Sequence, residues 1–199
     1  IVFGDWSSDV CSSDLRLKKL AEDIVSASKA ATGMVPVQTE QTDLVELLAQ
    51  TSEEYADRLA QARLTLVNHL PSEACSVMTD GKLLWRVLDN LFGNVFKYSQ
   101  PDTRVYLDLQ KSAGSVVITL RNISREPLNI NSEELFERFV RGDAARTSDG
   151  SGLGLAIARG LTELLGGKLS LEIDGDLFKA ILTLPAGNSA CAESVAQGQ

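Results

Sequence analysis

The chain has 199 residues, of which 44% are hydrophobic and 23% are charged, and its formal net charge is −8. This suits one globular domain with an appendage, and the negative charge argues against general binding of nucleic acids or anionic membranes, which select a basic face. No apolar run reaches the roughly 18 residues of a membrane span, and three scattered cysteines without a CxxC pair predict no zinc site or disulfide framework and favour a reducing cytoplasm.

The first fifteen residues show neither a helical nor a strand period. Back-translated, residues 5–15 fit one reading frame of a common short-read sequencing adapter. We therefore expect residues 1–15 to be a non-native leader, which is set aside from the fold prediction as a fusion scar would be. An ordinary disordered N-terminus is the alternative.

Residues 16–33 begin with an amphipathic pattern. The apolar positions with helical spacing are Leu17, Leu20, Ile24 and Val25. Such a stripe predicts a helix that packs on a partner. Gly33 and Pro36 then interrupt the pattern, and residues 34–40 are interpreted as a linker.

A globular domain is predicted from residue 41 onward. A capping-box pattern at Asp43 and Glu46 predicts a helix that runs to about Gln61. Alternating or β-branched segments predict strands at 64–70, 76–80, 105–110, 116–123, 169–174 and 178–185. The third and fourth of these are expected to pair as a hairpin, and so are the last two.

The helix predicted after Asp80 carries two distinct faces. Its core face has the spacing of Leu84, Leu88, Leu91 and Val95, and its polar and aromatic stripe consists of Asn90, Asn94, Lys97 and Tyr98. Asparagine is a mediocre helix former, so two asparagines one turn apart indicate a function beyond helix formation. The alternative is that both amides satisfy buried polar groups or face water.

A glycine-rich segment precedes the last predicted helix. A short helix is predicted at 132–139 and a mobile loop at 141–152, and Gly150, Gly152 and Gly154 follow at the start of the last helix. Free backbone N–H groups and the helix dipole favour an anion there, and phosphate is the natural guest. A Walker loop would need GK[ST], and a dinucleotide fingerprint would follow a buried strand. Neither is present, and glycines also serve tight turns.

The order of the motifs is more specific than any one of them. An Asn-bearing helix, a strand that ends in Asn122, FERFVRGD and GSGLGLAIA together resemble the ATP-binding catalytic domain of bacterial sensor histidine kinases, which shares its fold with gyrase and heat-shock chaperone ATPases. The resemblance implies an α+β, Bergerat-type domain at 41–186, a two-layer sandwich of a mixed, mostly antiparallel sheet and helices. It implies that 16–33 is a remnant of the second dimerisation helix, while 187–199 is expected to be a disordered tail.

The resemblance also implies a site for ATP and Mg²⁺. Asn94 would give its amide oxygen to Mg²⁺, Lys97 would meet a phosphate, and Tyr98 would lie along the nucleotide. Asn90 stands where ATPase relatives carry a Glu that activates water, and an amide cannot take a proton at neutral pH, so phosphotransfer is favoured over hydrolysis. The other residues that the resemblance assigns to ATP are Asn122, Arg138, Arg141, Gly150, Ser151, Gly152, Leu153, Gly154, Leu155 and Thr183.

Two departures from the family pattern affect these implications. Asn122 falls where many sensor kinases carry an Asp that recognises the adenine amino group, although its carbonyl can still accept from an amine. Thr183 is a candidate adenine contact, with an ordinary strand threonine as the alternative.

The phosphoacceptor histidine of the family lies upstream, and His69 has no acidic neighbour of the expected kind. The sequence is therefore interpreted as N-terminally truncated and unable to autophosphorylate.

The predicted function is that of a histidine protein kinase fragment that binds Mg-ATP and, in the complete protein, phosphorylates a histidine for relay to a response regulator. Implied partners are a histidine-bearing dimerisation domain, in a full-length homodimer, and the response regulator. No nucleic acid and no direct membrane contact are expected for this cytoplasmic fragment, whether or not the parent is anchored in the bacterial inner membrane. The alternatives are a degenerate nucleotide-binding scaffold, or a serine kinase or ATPase of the same superfamily. Asn90 argues against the ATPase.

Overall fold

The structure, a computed structural model, describes residues 36–112, 114–128, 134–136 and 152–186. The elements in chain order are β1 (Glu40–Asp43), α1 (Leu44–Gln61), β2 (Thr65–His69), β3 (Ser76–Thr79), α2 (Gly81–Tyr98), β4 (Arg104–Ser112), β5 (Ser115–Ile123), a 3₁₀ turn (Glu134–Phe136), α3 (Gly154–Leu164), β6 (Lys168–Asp174) and β7 (Leu177–Pro185). Apart from β1, the helices and strands of these residues follow the predicted order.

Five strands form the main sheet in the order β2-β4-β5-β7-β6. β2 pairs in parallel with β4, whereas the other three neighbouring pairs are antiparallel. Both predicted hairpins are present. The predicted fold, a mixed and mostly antiparallel sheet packed against helices, is confirmed.

The core lies between one face of this sheet and the helices. On β5, Val116, Ile118 and Leu120 are buried, while the residues between them are only half-buried, so every second side chain faces the helices. On α2 the predicted core face is buried throughout, at Leu84, Leu88, Leu91 and Val95. Each such side chain contributes about 1.5–3 kcal/mol on burial, which fixes α2 on the sheet with its polar stripe turned to one side.

Two aspartates cap the longer helices as predicted. The Asp43 carboxylate accepts from Val45 N at 2.9 Å and from Cys75 N at 3.1 Å. Asp80 accepts from Lys82 N at 3.1 Å and Leu83 N at 3.0 Å. Each cap satisfies N–H groups that have no partner inside the helix, which stabilises a helix by about 1 kcal/mol.

Two details of the prediction were wrong. Glu40–Asp43 forms a strand that pairs with Ser76–Thr79, whereas its first residue was assigned to a linker. The segment is polar and lacks the alternation that signals a strand, and its pairing comes from a distant part of the chain. Of the short helix predicted at 132–139, the described residues form a 3₁₀ turn at Glu134–Phe136.

Several predicted segments lie outside the described residues. They are the leader at 1–15, the dimerisation helix at 16–33, most of the loop at 141–152 and the tail at 187–199. Within the part of the chain that the structure describes, no helix is both long and apolar enough to cross a membrane.

Candidate functional site

The asparagine stripe of α2 lies directly beside the first turn of α3. If position 154 carried a Cβ, that atom would lie 3.3 Å from Oδ1 of Asn90 and 3.9 Å from Oδ1 of Asn94. Two parts of the sequence that are 60 residues apart are therefore in contact, and the glycine at the start of α3 permits this approach. The structure brings together the two motifs that the sequence singled out.

The amide of Asn90 has a defined orientation. Its Nδ2 donates to the carbonyl oxygen of Arg86 at 2.7 Å, one turn earlier on α2. Because the nitrogen is used within the helix, the amide oxygen is the atom on the side of Gly154. The group next to α3 is thus a neutral acceptor and not a base, since an amide oxygen does not take up a proton at neutral pH.

Asn94 has unused hydrogen-bonding capacity. Its Nδ2 is buried and has no hydrogen-bond partner among the described residues. A buried donor of this kind costs about 1–3 kcal/mol unless an acceptor, such as a phosphate oxygen, satisfies it. The side-chain oxygen lies toward Gly154, and amide oxygens are among the hard ligands that Mg²⁺ takes, so the residue fits the role of a metal ligand.

The approach to α3 has the geometry of an anion site. Gly152 adopts a φ of +71°, a left-handed conformation that glycine reaches without strain. Leu153, the N-cap, has no side-chain capping bond and is 1% exposed, which anchors the turn in the core. The N–H groups of Gly154 and Leu155, at the start of α3, have no partner within the helix, and together with the helix dipole they favour a negative charge.

The C-terminal end of the stripe joins the end of β5. Lys97 Nζ lies 4.9 Å from the ring centre of Tyr98. The carbonyl of Tyr98 accepts from Arg125 N at 2.8 Å, and Ser99 and Ser124 form an isolated β-bridge. These bonds place the stripe and the predicted base-recognition residue, Asn122, at the same end of the sheet.

Asn122 and Thr183 are not neighbours. Asn122 is 4% exposed and lies on the helix side of β5, in line with Leu120. Thr183 pairs with Val117, five residues along β5 from Asn122, which is about 16 Å at the usual rise of a strand. Its side chain belongs to the opposite face of the sheet, because Leu182 and Leu184 on either side of it are buried. The structure therefore does not bring Thr183 to the other candidates.

Four further candidates, Arg138, Arg141, Gly150 and Ser151, lie outside the described residues. His69, the one histidine of the sequence, lies at the end of β2, with its Nδ1 2.7 Å from Oδ1 of Asp108. That carboxylate also accepts from Arg121 Nη2 at 2.8 Å. This group is on the face of the sheet away from the helices, and hence away from the asparagine stripe.

A second set of contacts on α2 was not predicted. The Tyr55 hydroxyl on α1 donates to the carboxylate of Asp89, and the Tyr55 ring stacks on Phe92 with 4.8 Å between ring centres. Burial, together with the hydrogen bond to Asp89, raises the pKa of the Tyr55 phenol. The guanidinium of Arg58 lies 4.2 Å from the ring centre of Phe96. Asp89 is thereby held toward α1 and not toward Asn94.

Part of this arrangement around Tyr55 could be predicted from the sequence. Tyr55 follows Leu44 and Leu48 at helical spacing, so its burial was predictable, but its partner depends on how α1 crosses α2.

Comparison with known proteins adds to this geometry. The sequence profile of the family described as histidine kinase-, DNA gyrase B- and HSP90-like ATPase matches residues 79–188. The chain is 32% identical to the sensor protein VanSC of Enterococcus gallinarum over 177 residues, which cover 87% of this chain and 48% of VanSC. The chain thus spans about half of that relative.

Solved structures share the fold. The histidine kinase AdeS of Acinetobacter baumannii superposes with a TM-score of 0.76 at 20% identity, covering 90% of this chain and 83% of AdeS. Full-length ShkA in complex with AMPPNP superposes with a TM-score of 0.74 at 22% identity, covering 85% of this chain and 35% of ShkA.

Proposed function

Because the chain belongs to the family of histidine kinase-, DNA gyrase B- and HSP90-like ATPases, we propose that it binds Mg-ATP where α2 meets α3. In the complete protein, the γ-phosphoryl group passes to a histidine of a dimerisation domain and then to a response regulator. Residues 41–186 form the catalytic domain, and 16–33 belong to the second dimerisation helix. The likeness to the sensor protein VanSC supports this assignment.

The contact between Gly154 and the asparagines carries the proposal. It places Asn94 beside the start of α3, with the amide oxygen 3.9 Å from a Cβ built at Gly154 and the amide nitrogen as an unsatisfied donor. A metal ligand and an anion site side by side suit a polyphosphate with a bound cation. Neither feature alone would specify this ligand.

Several residues are proposed to bind different parts of Mg-ATP. Asn94 would offer its amide oxygen to Mg²⁺, and the ion would supply positive charge that offsets the charge of the phosphates. Lys97 supplies a positive charge near the end of α2, and Tyr98 offers its ring to the nucleotide. Arg138, Arg141, Gly150 and Ser151 are proposed to hold the triphosphate from the segment between β5 and α3.

The chemistry at Asn90 favours transfer to a histidine over hydrolysis. A water nucleophile needs a base within hydrogen-bond reach, and the amide of Asn90 cannot act as one. The adjacent carboxylate, Asp89, is occupied by Tyr55 on the other side of the helix. The γ-phosphoryl group is therefore retained until an imidazole, which is itself a competent nucleophile, enters the site.

A second candidate function is nucleotide binding without catalysis, as in a degenerate scaffold. The observation that favours it is the neutral Asn122 at the position where the resemblance expects an acid.

Transfer in trans distinguishes the two. The purified chain is mixed with a separate dimerisation domain that carries a phosphoacceptor histidine, together with γ-labelled ATP and Mg²⁺. A kinase leaves acid-labile, base-stable phosphate on the added domain, and none when that histidine is replaced by Gln. Binding of ATP without any transfer would support the scaffold and contradict the kinase.

A further inference from the structure

The end of α2 and the end of β5 enclose a cluster of uncharged polar side chains, Ser99, Asn122 and Ser124. These residues are 2%, 4% and 7% exposed. Two backbone bonds of 2.8 Å hold the segments together, from Gln100 N to the carbonyl of Ile123 and from Arg125 N to that of Tyr98. Asn122 and Ser124 are alternate residues and so lie on the same side of their strand.

The hydrogen bonds within this cluster are incomplete. Among the described residues, the buried Oγ of Ser99 has no partner, and the side-chain bond of Asn122 is a long one, 3.5 Å from Nδ2 to the carbonyl of Ile123. Buried polar groups in folded proteins are normally satisfied, so this cluster has capacity for a polar ligand. The cluster begins at Ser99, the residue after Tyr98. Tyr98 itself lies one helical turn from Asn94 on α2.

We propose that the carboxamide of Asn122 reads the nucleobase and that the chain therefore binds guanosine as well as adenosine triphosphate. This inference rests on the proposed function, since it concerns the base of the same nucleotide. A carboxamide has one accepting and one donating end. Adenine presents an amino donor beside the acceptor N1, and guanine presents the acceptor O6 beside the donor N1–H.

Turning the amide by 180° about its last torsion exchanges its two ends and matches either base. The 3.5 Å bond to Ile123 resists this rotation only weakly, because a hydrogen bond at that length is near its limit. A carboxylate at position 122 would behave differently. It accepts only, so it suits the adenine amino group and opposes O6 of guanine.

Three neighbouring side chains, those of Ser99, Ser124 and Arg125, do not oppose guanine. The hydroxyls of Ser99 and Ser124 both donate and accept, so they do not select between the purines. The exposed Arg125 places Nη2 3.5 Å from the carbonyl of Ser99, and a guanidinium, which only donates, does not oppose O6. Neither the two serines nor Arg125 therefore excludes guanine.

The test is a comparison of dissociation constants for Mg²⁺ complexes of the non-hydrolysable β,γ-imido analogues of ATP and GTP. They are measured by titration calorimetry on the wild-type chain, Asn122→Asp and the matched control Asn68→Asp. Asn68 lies on β2, where its Oδ1 accepts from Ser52, so the control introduces the same charge elsewhere. Circular dichroism and thermal melting check the fold of each variant.

The wild-type chain is expected to bind the two analogues within about tenfold of each other, and Asn122→Asp to shift this ratio about tenfold or more toward ATP. Asn68→Asp keeps the wild-type ratio. A wild-type preference for ATP above about a hundredfold, or an unchanged ratio in Asn122→Asp, overturns the inference. The wild-type ratio decides even if the variant does not fold. If only the ATP analogue binds, the proposed binding of guanosine triphosphate is contradicted and the proposed function is not. If neither analogue binds, the proposed function is contradicted as well.

Discussion

Gly154 packs so closely on Asn90 that a Cβ at position 154 would lie 3.3 Å from the amide oxygen of Asn90. This contact joins the asparagine stripe of α2 to the N-terminus of α3. The proposed site depends on it, because a separation of the two helices would part the cation ligand from the phosphate-binding N–H groups.

Gly154→Ala should therefore weaken nucleotide binding by about tenfold, because the added methyl group crowds Oδ1 of Asn90, so that the amide or α3 must shift within the proposed site. The matched control is Gly93→Ala on the exposed face of α2, where a Cβ would meet nothing within 4 Å. That control should keep the affinity and gain about 0.5–1 kcal/mol of helix stability. Calorimetry and thermal melting measure both effects. Equal affinity in the two variants would contradict the assigned role of the contact.

Asn90→Glu should introduce hydrolysis of ATP. The new carboxylate would extend one methylene group beyond the Asn90 amide, which lies next to Gly154, and could accept a proton from water there. We expect phosphate release from ATP to rise by about tenfold or more, with Asn90→Gln unchanged as the control for side-chain length. Phosphate release is followed with a coupled colorimetric assay. If Glu and Gln variants hydrolyse ATP equally slowly, the missing base is not what suppresses hydrolysis.

Tyr55→Phe should destabilise the fold. The substitution removes the hydroxyl that donates to Asp89, and a hydrogen bond to a charged acceptor contributes about 1.5–3 kcal/mol. Tyr106→Phe is the control, because the described contacts of Tyr106 are made by its ring with Arg121 and His69. Urea unfolding gives both free energies. A loss in Tyr55→Phe no larger than in the control would show that the Asp89 bond contributes nothing net.

The raised pKa of Tyr55 predicts a loss of stability in alkali. In the unfolded chain the phenol releases its proton near pH 10, as free tyrosine does, while in the folded chain it keeps it to higher pH. The folded state then binds more protons, so the free energy of unfolding falls as the pH rises above about 10. Difference absorbance near 295 nm should show the same number of ionised tyrosines in folded wild type and Tyr55→Phe at about pH 11. One extra phenolate in the wild type would contradict the buried, bonded state.

Much of the fold could be predicted because local signals agreed with tertiary packing. The core face of α2 follows from the spacing of Leu84 and Leu88, and both helix caps follow from an aspartate before an apolar run. β1 could not be predicted, because its residues are polar and its strand pairing is set by β3, more than 30 residues away.

For the candidate site, the local pattern of residues could be predicted from the sequence, and their spatial arrangement could not. The asparagine stripe follows from helical geometry alone, but its contact with Gly154 depends on how α2 and α3 pack, which no local pattern specifies. Thr183 is the opposite case, a residue that the sequence assigned to the site and that the structure places elsewhere. Its place near the end of β7 suggested a role, yet the alternation of buried neighbours, Leu182 and Leu184, assigns it to the other face of the sheet.

The most direct test of the central claim is titration of the chain with the β,γ-imido analogue of ATP, with and without Mg²⁺, for wild type and Asn94→Ala. The wild-type chain should bind the analogue more tightly with Mg²⁺, and Asn94→Ala should lose most of that dependence while keeping its fold, because in the proposed site Asn94 provides the amide oxygen for the cation. Absence of any binding by the wild-type chain at millimolar nucleotide, or an undiminished Mg²⁺ effect in Asn94→Ala, would contradict the account.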